Sequence, residues 1–182
     1  MTTTLREPTT DGGEERRVER RRRVLLFGRI SDAMGAQLTD CAILNLSLTG
    51  AQVRLHAEQV LPSQVYLIDP KTHSAHLCEI AWQRGDRLGL HFCETFDLDK
   101  EIAGRLHFLK TLLIETKLKQ VELLKAKGFS LDEALEAINT TRTTFERWRR
   151  ANLLHEETRT TMQRLIIENT RLLNTLAAVR DD

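Results

Sequence analysis

The chain has 182 residues, 41% of them hydrophobic and 29% charged, with a formal net charge of +1. That length accommodates one good core with an appendage, or two small domains, and the composition is that of an ordinary water-soluble protein. The longest apolar runs, such as VLLF at 24–27, fall far short of the roughly 20 residues a membrane-spanning helix needs, so no membrane insertion is expected.

Residues 1–14 are polar and lack an apolar core; they read as a disordered tail and not as a secretory signal. Cys41, Cys78 and Cys93 cannot all pair, and none lies in a C-x-x-C arrangement, which favours reduced thiols in a cytoplasmic protein. The small net charge hides an uneven distribution. Residues 14–30 hold seven arginines against three glutamates, whereas residues 31–92 hold four basic and six acidic residues. The stretch EERRVERRRRV (14–24) is therefore a local anion trap. It uses arginine only, and no lysine occurs before Lys71. A planar guanidinium grips a phosphate or a guanine edge with two parallel hydrogen bonds, which lysine cannot do.

From residue 23 to 93 the pattern is that of strands. RVLLFGRI, AQLTDCAILNL, GAQVRL, QVYLI, HLCEIAWQ and RLGLHF are short and rich in Val, Ile, Leu and aromatics, and turn-forming segments separate them. Six such strands predict a small barrel or sandwich. Gly85-Asp86 predicts the hairpin between the last two. The stretch NLSLTG (45–50) stands out: Asn45 and Ser47 project to one face of a strand while Leu44, Leu46 and Leu48 face the other way. Gly50 then permits either a close backbone approach or a positive φ.

After Phe92 the apolar positions recur every three or four residues and proline is absent. Leu98, Ile102, Leu106, Leu109 and Leu113 predict an amphipathic helix from Asp97 to about Lys127, ended by Gly128. Ser130 and Glu133 form a capping box for a short second helix. Asn139 is its expected stop, and Thr141 caps a third helix that continues to Arg180. Unbroken, that helix would extend on the order of 60 Å. Its later part fits heptads, with Met162, Asn169 and Leu176 at a and Leu165, Leu172 and Val179 at d, which predicts a coiled-coil oligomerisation segment over 152–182. The fold class expected is α+β: a six-stranded β-domain, then an all-helical region over 97–151, then the long helix.

An arginine motif of the form RxxxR, then N-x-S-x-x-G, then a W…G…GL.F strand pair near residues 82–92 together resemble the PilZ domain family over about residues 15–93, which implies a domain over 15–95. The resemblance implies a six-stranded barrel that binds the second messenger cyclic di-GMP. Arg17 and Arg21 are then the RxxxR pair, with Arg16 preceding it. Arg16 with Arg20 satisfies the same spacing. Asn45, Ser47 and Gly50 form the other half of the pocket. No cofactor beyond that ligand is implied.

Residues 126–154 bear a looser resemblance to a transposase-like helix-turn-helix, which implies DNA contacts from Arg142, Thr143, Arg147, Arg149 and Arg150. Four arginines against four acidic residues over 128–151 leave little electrostatic footprint for DNA. The competing expectation is that the helices form a stalk for a homodimer or higher homo-oligomer, or for a protein partner, with the barrel as its regulated head. The six histidines are scattered, and only His73, His76 and Cys78 approach ligand spacing, without a convincing fourth ligand. No metal site and no catalytic site are expected, and an enzyme is not the reading.

Overall fold

The computed structural model of the protein describes residues 22–36, 38–126 and 131–180. Six strands, β1 (Arg22–Ser31), β2 (Leu38–Leu46), β3 (Gly50–Leu55), β4 (Gln64–Asp69), β5 (Ser74–Arg84) and β6 (Arg87–Asp97), close a barrel in the order β1-β2-β3-β6-β5-β4. All neighbours are antiparallel, and β4 returns to β1 through Arg29↔Ile68 and Ile30↔Leu67. The α+β class and the barrel alternative are thus the ones adopted. The β5–β6 hairpin turns where expected, with Gly85 at φ +58.

Period-2 alternation builds the barrel interior. On β3, Ala51, Val53 and Leu55 are buried while Gln52 and Arg54 point outward. β4 departs from alternation, being buried from Val65 to Asp69, because both of its faces are covered. Val65 and Leu67 face the barrel core, and Tyr66 and Ile68 face a second core shared with the helices. There Tyr66 meets Phe96 and Phe108 at ring-centroid distances of 6.2 and 5.8 Å.

The helical half differs from expectation at three places. β6 keeps its pairing with β5 as far as Ser74↔Asp97, so no helix begins at Asp97. A loop and a 3-10 turn (Gly104–Leu106) follow, and α1 (Phe108–Ala126) starts eleven residues late. Gly104, a poor residue for a helix interior, marks this delay in the sequence.

The second difference is that α2 (Leu131–Arg150) passes straight through Asn139 and Thr140. Its buried residues Ile138, Thr141, Phe145 and Trp148 recur at helical spacing and form one face against the second core. That packing outweighs the modest local preference of Asn and Thr for other conformations. Thr140, Thr141, Thr143 and Thr144 each return their hydroxyl hydrogen to the carbonyl four residues back, at 2.9–3.0 Å. None of these four hydroxyls is left free to compete with the helix.

Third, the helix that was expected to run unbroken to Arg180 ends at Arg150. Asn152 adopts φ +55. Its N–H donates to the Arg149 carbonyl at 3.2 Å, and the Leu153 N–H donates to the Trp148 carbonyl at 3.0 Å, a Schellman cap. The asparagine that stops a helix is therefore Asn152, not Asn139. The last helix, α3 (Glu156–Arg180), folds back so that Met162 and Ile166 are buried in the core formed with α1, α2 and the barrel. Among the described residues, no helix is long and apolar enough to cross a membrane.

Candidate functional site

The NLSLTG stretch is the turn from β2 to β3, and a bulge shapes it. Ile43 pairs with Val53 but Asn45 pairs with Gln52, which leaves Leu44 as the unpaired extra residue. Ile43 and Leu46 consequently both face the barrel core, while Asn45 turns outward opposite Gln52. The expected apolar face of Leu44, Leu46 and Leu48 is broken up: Leu46 alone packs inward, and Leu48 is 86% exposed.

Asn45 Nδ2 donates to Gln52 Oε1 at 2.8 Å. The Ser47 hydroxyl and the Ser47 N–H both donate to the Gly50 carbonyl, at 3.1 and 2.9 Å, which cinches the turn. Gly50 lies against β6, where a Cβ would sit 2.3 Å from the Leu90 carbonyl oxygen. Its φ is not positive, so close approach is the reason for glycine here. Asn45 Oδ1 is buried and has no hydrogen-bond partner among the described residues. An unpaired buried acceptor costs about 1–3 kcal/mol, and it is a place where an N–H donor from outside would be well received.

Beside this turn lies the start of β1. Arg22 pairs with Leu46 and Arg23 with Asn45. Arg16, Arg17, Arg20 and Arg21 lie outside the described residues. Of the W…G…GL.F residues, Leu90 and Phe92 border the turn. Trp82 pairs with Gly89, and its indole occupies the space over that glycine, with Nε1 only 2.0 Å from where a Cβ would be. Leu90 is buried in the barrel, and Phe92 packs against the same core.

The structure disperses the histidine cluster. His76 stacks on Phe92 at 4.1 Å and contacts the Thr95 hydroxyl through Nδ1 at 2.9 Å. Burial lowers its pKa to about 4, against the opposing pull of Asp69. Cys78 is buried in the barrel core with its thiol donating to the His76 carbonyl at 3.2 Å. His73 belongs to a different network, at the junction of barrel and helices. There Asp99 accepts from Trp148 Nε1 at 2.7 Å and from Arg147 Nη2 at 2.5 Å, with His73 Nδ1 at 3.1 Å. Burial pushes the Asp99 carboxyl up, but the hydrogen bonds from Trp148 and His73 and the nearby positive charge outweigh it and hold the carboxyl below its ordinary range.

Under the same tryptophan, Lys110 is fully buried. Its ammonium lies 4.5 Å from the Trp148 ring centroid and donates to the carbonyls of Leu98 and of Lys100, the latter at 2.9 Å. Burial lowers its pKa to about 8, against Asp99 and Asp97. Asp99, Lys110 and Trp148 were not singled out from sequence as a unit. The spacing of Trp148 within α2 marks it as core, but nothing local reveals its partner 49 residues upstream.

This network bears on the arginines expected to meet DNA. The turn of the helix-turn-helix resemblance is absent, since α2 is continuous there. Arg147 is engaged by Asp99, and Arg149 is paired with Glu146 at 2.7 Å. Arg142, Thr143 and Arg150 are exposed on α2. Of the heptad residues, Met162 is fully buried within the chain and Leu165 packs partly against the same core. Asn169 Nδ2 donates to the Leu165 carbonyl at 3.0 Å. Leu172, Leu176 and Val179 fall on the part of α3 whose side chains lie outside the description.

Comparison with known families is consistent with this geometry. The family model described as PilZ domain matches residues 15–108. No curated protein matches the chain.

Proposed function

Because the chain belongs to the PilZ domain family, a family of cyclic di-GMP receptors, we propose that this protein binds cyclic di-GMP at the NLSLTG turn and uses the bound nucleotide to control its helical half. One observation carries the reading: the first residues of β1 pair directly with the motif strand, Arg23 opposite Asn45. Even a fully extended chain spans no more than about 18 Å from Arg17 to Arg22, so the arginine motif is within reach of this turn. In this reading Arg16, Arg17, Arg20 and Arg21 clasp phosphates and guanine edges, while Asn45, Ser47 and Gly50 form the opposite wall. The buried Asn45 Oδ1 gains its missing donor from a guanine N–H.

β1 also supports the link to the helices. It begins at the motif turn and, near its other end, Arg29 pairs with Asp40 at 3.2 Å and reaches Glu115 of α1 at 3.8 Å. Ordering the arginine segment on the nucleotide would bias the strand on which α1 rests, and through it a helical region that self-associates or engages a protein partner. The protein acts in this reading as a cytoplasmic receptor and not as a catalyst.

Isothermal titration of cyclic di-GMP into the full-length protein tests it, with the double variant Arg17→Ala/Arg21→Ala alongside. Saturable binding with micromolar or better affinity, lost in the double variant, is expected. Binding that is equally weak and salt-sensitive for wild type and variant, and for any nucleotide, would mean that the arginines merely attract polyanions.

A further inference from the structure

We propose that Glu79, His91 and Cys93 form a binding site for a borderline-soft divalent metal ion of the zinc class on the outer face of the β5–β6 ribbon. Glu79 pairs directly across from His91. His91 and Cys93 are two apart on β6 and share its outer face, while Phe92 between them packs on the barrel core. Cys93 is also a bulge residue: Phe92 pairs with Cys78 and Glu94 with Leu77, leaving Cys93 unpaired between them. A bulge bends its strand and re-aims the side chain it carries. The carboxylate, imidazole and thiol donor atoms all lie within 4.8 Å of one another.

The donor set has a chemical meaning. Around tetrahedral zinc, with bonds of about 2.0–2.3 Å, donors stand roughly 3.3–3.8 Å apart. Since all three side chains are exposed, torsional adjustment of about an ångström brings them to that spacing. A thiolate, an imidazole and a carboxylate together discriminate against magnesium and calcium, which seek oxygen only. Three protein ligands on adjacent, mutually bonded strands leave a fourth position to water. Cys41 and Cys78 do not compete, because both are buried in the barrel core. Gly50 pairs with His91 from the other side, so the metal site borders the NLSLTG turn, but its argument is independent of any nucleotide.

Cobalt(II) added to the reduced full-length protein provides the test, with Cys93→Ser, His91→Ala and Glu79→Gln compared and their fold checked by circular dichroism. The expected spectrum has a thiolate-to-cobalt charge-transfer band and the intense visible bands of a tetrahedral ion, saturating at one ion per chain and displaced by zinc. Cys93→Ser should abolish the charge-transfer band, and His91→Ala and Glu79→Gln should each weaken binding at least about tenfold. Absence of the charge-transfer band in the wild type, its persistence in Cys93→Ser, or affinity unchanged by either of the other substitutions would overturn the site.

Discussion

Gly50 has no space for a side chain, since the nearest atom to its would-be Cβ is backbone, the Leu90 carbonyl, and backbone cannot rotate away as a side chain can. Gly50→Ala must push β3 from β6, and urea unfolding should register a loss of roughly 1–3 kcal/mol together with weakened nucleotide binding. The sequence already pointed to this glycine, though only as a choice between close approach and positive φ. Which of the two applies depends on a residue 40 positions later. Lys110 makes a different kind of statement. Its ammonium titrates near 8 when folded and at 10.5 ordinarily, so between those values the unfolded chain holds more protons and stability rises with pH. Lys110 alone should contribute a rise of about 3 kcal/mol, read as the difference between wild type and Lys110→Met in denaturation midpoints across that window, because the buried thiols of Cys41 and Cys78 act with the opposite sign in its upper part. A lysine in the middle of an amphipathic pattern looks like a solvated residue. Only the carbonyls of Leu98 and Lys100 and the Trp148 ring explain its burial.

Among the elements, strands were legible from alternation and their turns from glycine and proline. The bulges at Leu44 and Cys93 were not, because an extra residue in a ladder is defined by its partner strand and leaves the local pattern intact. The helices show why a local stop signal is weak: Asn139 lies within a continuous buried face and is overridden, while Asn152 follows the end of that face and caps it. The junction of α2 with the loop after β6 rests on Asp99. With its folded pKa held low, its contribution is present above the ordinary aspartate range and is lost as the pH falls through the folded value. In Asp99→Asn the acid limb of the stability profile should flatten. Amide exchange in α2 should quicken at neutral pH, because Arg147 and Trp148 lose their charged acceptor. Unchanged exchange would mean that the apolar core alone holds α2 in place.

For the whole molecule, the barrel and the α+β class could be read ahead of the structure, but the expected rod could not. The heptad spacing was real, yet Met162 on it serves the core of its own chain, and a periodic apolar stripe does not say whose core it fills. The self-association proposed above would then rest on the last turns of α3. In sedimentation, Leu172→Asp/Leu176→Asp should shift an oligomer to monomer with the fold retained, whereas Met162→Asp should unfold the helical half at any oligomeric state. An equal loss of fold in both would place all of α3 in the monomer core. The strand order has a further consequence, for synthesis. Because β3 pairs with β6 and not with β4, the wall that Gly50 leans on, Leu90, leaves the ribosome roughly 2–8 s after Gly50 itself at about 5–20 residues per second. During that interval the NLSLTG turn has β1 beside it but lacks its β6 wall. Under the proposed function, a nascent chain stalled before β6 would carry every residue of the turn and still bind no nucleotide.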